Sequence, residues 1–169
     1  AVSEAVRTQH AIDRVVWSSS EVALAKETVE HPRFEHRVSV MHEVAASVEW
    51  LEVAVTTAQL MVDIAAGCDL LVMGADKWAQ INEPHWYGGP AQRDRAMAAL
   101  PPVAIAPRPP FDAPSHLLLD LEPHPHDVSS TRARDGEHHL MLPAAQAFGK
   151  RTGAWVDPPR YDLWLTRRP

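Results

Sequence analysis

The chain has 169 residues, 46% of them hydrophobic, and carries 16 Lys and Arg against 22 Asp and Glu, a net charge of −6 with His neutral. That length supports one domain with a sizeable core, and the lack of a Lys/Arg stripe argues against a nucleic-acid surface. One cysteine, Cys68, excludes a disulfide framework and fits a reducing cytoplasm; no window is long and apolar enough for a membrane span, and no signal-peptide pattern opens the chain.

Residues Ala1 to Ala11 read as a helix, with Val2, Ala5, Val6 and Gln9 at helical spacing. A strand over Ile12 to Trp17 follows and ends in Ser18-Ser19-Ser20. The stretch Glu21 to His31 fits either a short helix or an active-site loop carrying Lys26. Pro32 suits the first turn of a helix running to about Ser47. Its positions Phe34, Val38, Met41, Val44, Ala45 and Val48 follow the helical period. Glu52 to Val55 is a short strand. Thr56-Thr57 offers a hydroxyl cap for a helix from Ala58 to Ala66, which stops at Gly67. A lone Cys68 beside the next strand reads as a small core hydrophobe.

Asp69 to Met73 is the central strand. An apolar run without polar alternation marks a strand buried on both faces, as in a parallel sheet under helices. Gly74 follows, where backbone can approach a ligand closely. Asp76 is placed either to cap the next helix or to accept hydroxyl hydrogen bonds. Ligands of open parallel sheets sit beyond the carboxyl ends of the strands. Gly74-Ala75-Asp76 therefore stands at the address of a binding site, or at an ordinary strand–helix junction.

Lys77 to Ile81 can start a helix. Pro84 to Pro90 is a turn-rich loop. A helix over Ala91 to Leu100 is closed by Pro101-Pro102. Val103 to Ala106 is a fourth strand, Pro107 to Pro114 an extended proline-rich loop, and Leu117 to Leu121 a fifth strand. A short helix follows Val128 to Thr131. A last helix starts at Leu142-Pro143 and ends near Thr152-Gly153. Trp155, Tyr161 and Trp164 in the tail are read as packing residues. The alternation of strands and helices predicts a single α/β domain, doubly wound around a mainly parallel sheet with helices on both faces.

A second signal lies at Asp127-Val128-Ser129-Ser130-Thr131-Arg132-Ala133-Arg134. Free N–H groups at a helix start bind phosphate. Hydroxyls add donors, and Arg134 lies one turn beyond Ser130, able to clamp the same anion. The plainer reading is a hydroxyl N-cap with solvated arginines. The ten histidines include His124, His126, His138 and His139, but no spacing supports a tetrahedral metal site, and loop or surface roles are the plainer reading.

Gly74-Ala75-Asp76 followed by Ser129-Ser130-Thr131 and Arg134 resembles the nucleotidylyltransferase superfamily, and within it the nicotinate/nicotinamide-nucleotide adenylyltransferases. Pro84-His85-Trp86, Glu35-His36-Arg37-Val38 with Met41, and Leu142-Pro143 resemble further segments of that family, in order along nearly the whole chain. The resemblance implies a Rossmann-like fold. It also implies transfer of AMP from ATP, with its Mg²⁺, to a pyridine mononucleotide, releasing pyrophosphate. By that resemblance Ser129, Ser130, Thr131 and Arg134 would hold ATP phosphates, and Gly74 and Asp76 would line the ribose. Trp86, or else Trp78, would stack on the pyridine. Thr57 would orient its substituent, and Lys26 would face a phosphate.

The family's His-x-Gly-His loop has no counterpart in the chain, which starts where the helix after that loop would lie. The expectation is that a first strand and loop are missing from this sequence. Val55 and Thr56 precede Thr57 where the family has a tyrosine, and Ala133 replaces a branched residue. Two alternatives stand beside this reading: a nucleotidylyltransferase with another phosphate acceptor, and a non-catalytic nucleotide-binding relative. No nucleic-acid or membrane partner is expected, and the oligomeric state is open.

Overall fold

The computed structural model describes residues 1–22, 31–121 and 130–167, the Ser130 side chain excepted. The protein is mixed α/β, with short strands and helices in two compact units. One comprises Ala1–Val15 and Thr57–Asp127, the other Val16–Thr56 and Val128–Pro169. Among the described residues the named strands form two two-stranded sheets.

The first unit opens with α1 (Val2–His10), closed by Ala11 in the left-handed conformation. Val2 and Val6 stand one turn apart on one face. Val6 is buried with Ala104 and Leu119, and Val2, Val15, Leu70, Val72 and Leu121 pack around them. The strand β3 (Leu71–Gly74) runs parallel to β4 (Val103–Ala106) in the register Leu71 to Val103 through Gly74 to Ala106. Parallel neighbours need a long crossover. Here it comprises α4 (Ala75–Ile81), a 3₁₀ turn (Pro84–Tyr87) and α5 (Pro90–Ala98). Successive side chains of a strand alternate faces, and both faces of β3 carry apolar contacts. Val72 packs on the Val6 cluster, and its neighbour Met73 is buried.

Three expectations for this unit need correction. The strand read over Leu117 to Leu121 reduces to a single parallel bridge, Ile105 to Leu118, after a 3₁₀ turn at Ser115–Leu117. Beyond that bridge Asp120 does not pair with a strand. The side-chain amide of Gln9 accepts from the Asp120 N–H at 2.9 Å and donates to its carbonyl at 2.6 Å. The helix read over Ala58 to Ala66 shrinks to α3 (Met61–Ile64), which has no side-chain cap. The Thr56 carbonyl accepts the Glu21 N–H at 2.9 Å, so Thr56 belongs to the strand and not to a helix cap. Cys68 is exposed, not a core hydrophobe.

In the second unit β1 (Val15–Ser20) lies three residues later than the pattern suggests. Ile12 is tied to the end of α1, its N–H donating to the Arg7 carbonyl and its own carbonyl accepting Arg7 Nε. Pairing with β2 (Leu51–Thr56) carries the three serines into the strand. The helix α2 (Phe34–Ala45) packs on β2 and on α7 (Pro143–Thr152). Its buried residue is Val40, one position off the predicted stripe.

The helix ending at Thr152 is not the last one: the tail forms α8 (Pro158–Thr166). Its start follows capping rules: Asp157 accepts the Arg160 N–H at 3.1 Å, and two prolines fill the first turn. Gly153 turns the chain between α7 and α8 with φ +85°; a Cβ there would lie 2.8 Å from the Asp157 carbonyl and 2.9 Å from Arg160 Cβ. Only glycine fits both demands. Val40, Phe148, Ala154 and Tyr161 form the core of this unit, with Trp155, Trp164 and Leu165 against it.

Candidate functional site

Unit one carries Gly74, Asp76, Trp78, Trp86 and Thr57. Gly74 ends β3 and precedes α4, in an extended conformation open to any residue (φ −78°, ψ 157°). Its need for glycine comes from Asp76: a Cβ on Gly74 would lie 2.5 Å from Asp76 Oδ1. Asp76 is not the cap of α4, which is Gly74 and makes no side-chain cap bond. It sits in the first turn, where the helix dipole favours a carboxylate. Its Oδ2 accepts Arg108 Nη1 at 3.2 Å.

Arg108 escaped the sequence reading because it stands within a proline-rich segment. The available signal was its place just beyond the carboxyl end of β4. Gly74→Ala is expected to leave the fold intact, since only a side-chain tip must move. It should turn the Asp76 carboxylate off Arg108, with an unchanged circular-dichroism spectrum and a shifted Arg108 side-chain N–H resonance by NMR.

Trp78 lies on α4, and its carbonyl accepts Asn82 Nδ2 at 2.8 Å. The Asn82 carbonyl in turn accepts Arg93 Nη1 from α5 at 2.9 Å. This chain of bonds ties the end of α4 to α5, on either side of the turn that carries Trp86. Trp86 is half-buried in the 3₁₀ turn, with the His85 ring 4.0 Å away at 47°. Its indole N–H is buried and has no acceptor among the described residues. Burial pushes the neighbouring Tyr87 phenol up, partly offset by Arg93. Thr57 follows β2 and is exposed.

Unit two carries the other half of the candidate set. Ser129 and Lys26 lie outside the described residues. Ser130 opens α6 (Ser130–Arg134), and Ala133 is its buried anchor. Thr131 and Arg134 are exposed, and Arg134 Nη2 turns back to Thr131 Oγ1 at 3.4 Å. The segment is closed by a fork: Arg132 Nε and Nη2 each donate to one Glu137 oxygen at 2.6 Å.

That fork holds the Glu137 carboxyl below its ordinary value of 4.5. A depressed folded value adds stability above pH 4.5 that is lost as pH falls through it. A carbon-detected NMR titration should place the Glu137 midpoint below 4.5, and Arg132→Gln should return it there. An unshifted midpoint in the native protein would show that the Arg132 fork does not hold the Glu137 carboxylate.

Residues not singled out from sequence form a cleft of about 430 Å³ in unit two, lined by His31, Arg33, Asp162 and Leu165. Asp162 Oδ1 holds His31 Nε2 at 2.8 Å. His138 and His139 form a 3₁₀ turn with Leu140, while His124 and His126 lie outside the described residues. Among the described residues no three His, Cys, Asp or Glu side chains gather as metal ligands, and no helix is long and apolar enough to cross a membrane.

No protein-family model matches the chain, and no curated protein matches it at a significant level.

Proposed function

We propose that the protein is an adenylyltransferase that moves AMP from ATP to nicotinate or nicotinamide mononucleotide, within a Rossmann-like, doubly wound domain acting in the cytoplasm. The observation that supports this most is the placing of Gly74 and Asp76 at the carboxyl end of a parallel strand pair, where such sheets take their ligands. The order of the segments adds support, with Ser129-Ser130-Thr131 and Arg134 following as a hydroxyl and guanidinium set suited to phosphate.

In this reading the side chains bind and align, and none is assigned as catalytic. Ser129, Ser130, Thr131 and Arg134 take the phosphates of ATP, which brings its Mg²⁺ as part of the substrate. Asp76 accepts ribose hydroxyls beside Gly74. Trp86 stacks on the pyridine, with Trp78 as the alternative ring; Thr57 faces the ring substituent and Lys26 a phosphate. A phosphate oxygen of the mononucleotide then bonds to the α-phosphorus of ATP. The α–β anhydride bond breaks, and pyrophosphate leaves with its electron pair. Alignment lowers the entropic part of the barrier, and cationic donors stabilise the charge.

The test is pyrophosphate release from MgATP in the presence of each mononucleotide. Release that depends on the acceptor is expected. Its absence with both, alongside retained ATP binding, would replace the enzyme with a non-catalytic nucleotide-binding protein; release with a different phosphate acceptor only would change the substrate.

A further inference from the structure

We propose that Arg108 is the second half of the Asp76 site, a specificity-determining residue that makes the site choose a ligand carrying an anionic group beside its hydroxyls. This rests on the nucleotide reading above and sharpens it: the ligand taken at Asp76 is a nucleotide and not a nucleoside. Five observations carry it. Gly74 and Ala106 are register partners at the carboxyl ends of β3 and β4, and Asp76 and Arg108 each stand two residues beyond them. Parallel pairing thus sets an acceptor and a cation side by side at the sheet end. Their one contact is Arg108 Nη1 to Asp76 Oδ2 at 3.2 Å.

Both groups keep capacity for a ligand. A guanidinium has five N–H donors and a carboxylate about four acceptor positions, and that contact uses one of each. Arg108 is 50% exposed and Asp76 38%, so both reach solvent. The backbone of Arg108 is fixed, its carbonyl accepting the Phe111 N–H at 2.9 Å across a tight turn. The room for Asp76 Oδ1 exists because Gly74 lacks a Cβ.

The chemistry then separates two ligand classes. An unpaired carboxylate would repel a phosphate brought near it; Arg108 cancels that charge and presents unused donors to the anion. A nucleoside offers hydroxyls to Asp76 alone and must share it with Arg108. A nucleotide satisfies both groups at once, with charge-assisted bonds to the guanidinium. A pair that merely fastens the loop after β4 would change stability without changing this choice.

Calorimetry with ATP against adenosine, and nicotinamide mononucleotide against its riboside, tests the inference on the native protein and Arg108→Gln. The variant is expected to bind the nucleotide taken at Asp76 about tenfold more weakly, with its nucleoside within about twofold of the native value. An unchanged nucleotide-to-nucleoside ratio for both pairs overturns it. A second measurement stands apart from nucleotides: inorganic phosphate titrated into the native protein should move the Arg108 side-chain N–H resonance. A still resonance overturns the anion role, even where ATP binds. A moving resonance in a protein that binds neither nucleotide keeps the anion role and removes the nucleotide reading.

Discussion

Replacing Tyr161 with alanine is expected to cost about 3–5 kcal/mol of stability, the range for deleting a buried aromatic ring. Tyr161 is 0% exposed in α8. Its ring stacks on Trp164 at 5.8 Å, and its hydroxyl accepts the Arg33 N–H at 3.0 Å. It also bonds His36 Nδ1, so one phenol fixes the first turn of α2 to α8. Tyr161→Phe keeps the ring but strands the Arg33 donor, and should cost about 1–3 kcal/mol. Burial pushes the Tyr161 phenol above its ordinary value of 10.0. Its contribution is therefore complete below pH 10 and fades as pH rises past it. Urea unfolding of the three proteins measures the series. A loss of under about 1 kcal/mol for the alanine variant would mean that α8 is not part of the core.

Replacing Trp86 with alanine should raise the KM for the pyridine mononucleotide by about tenfold or more while leaving that for ATP within about twofold, because stacking on a flat base contributes about 1–3 kcal/mol. Trp86→Phe should recover part of the loss, since a smaller ring still stacks. Equal losses for both substrates would count against the acceptor role. Trp78→Ala, in the α4 segment whose backbone bonds Asn82, serves as the comparison. A larger acceptor-specific effect there would move the stacking ring from Trp86 to Trp78.

Local patterns were legible where local forces decide the outcome. The strand Val103–Ala106 and the helix from Leu142-Pro143 to Thr152-Gly153 are found where proline, glycine and apolar runs place them. The expectation failed where a distant group takes over a backbone position. Asp120 shows this most clearly, since the Gln9 side chain, a residue far away in sequence, supplies the hydrogen bonds a strand neighbour would give. β1 moved because Ile12 is held by Arg7, and Thr56, read as a helix cap, stays in β2 and bonds Glu21. α8 had a readable start in Asp157-Pro158-Pro159, obscured by an aromatic tail that was read only as packing.

At the candidate site, Gly74 was legible as a special position, though for a different reason. Its conformation is ordinary, and what excludes a Cβ is the carboxylate of Asp76. Arg108 stood in a segment read as a proline-rich loop; its place just beyond β4 was readable, but its partnership with Asp76 follows from the β3–β4 register and not from its own neighbours. Arg134 Nη2 lies 3.4 Å from Thr131 Oγ1, three residues back along its helix.

The proposed adenylyl transfer is followed most directly at the α-phosphorus. The protein is incubated with MgATP labelled at that atom and with nicotinate or nicotinamide mononucleotide. Label is expected in a dinucleotide whose formation matches pyrophosphate release mole for mole. Label that stays in ATP, or appears only in AMP or ADP, would contradict it.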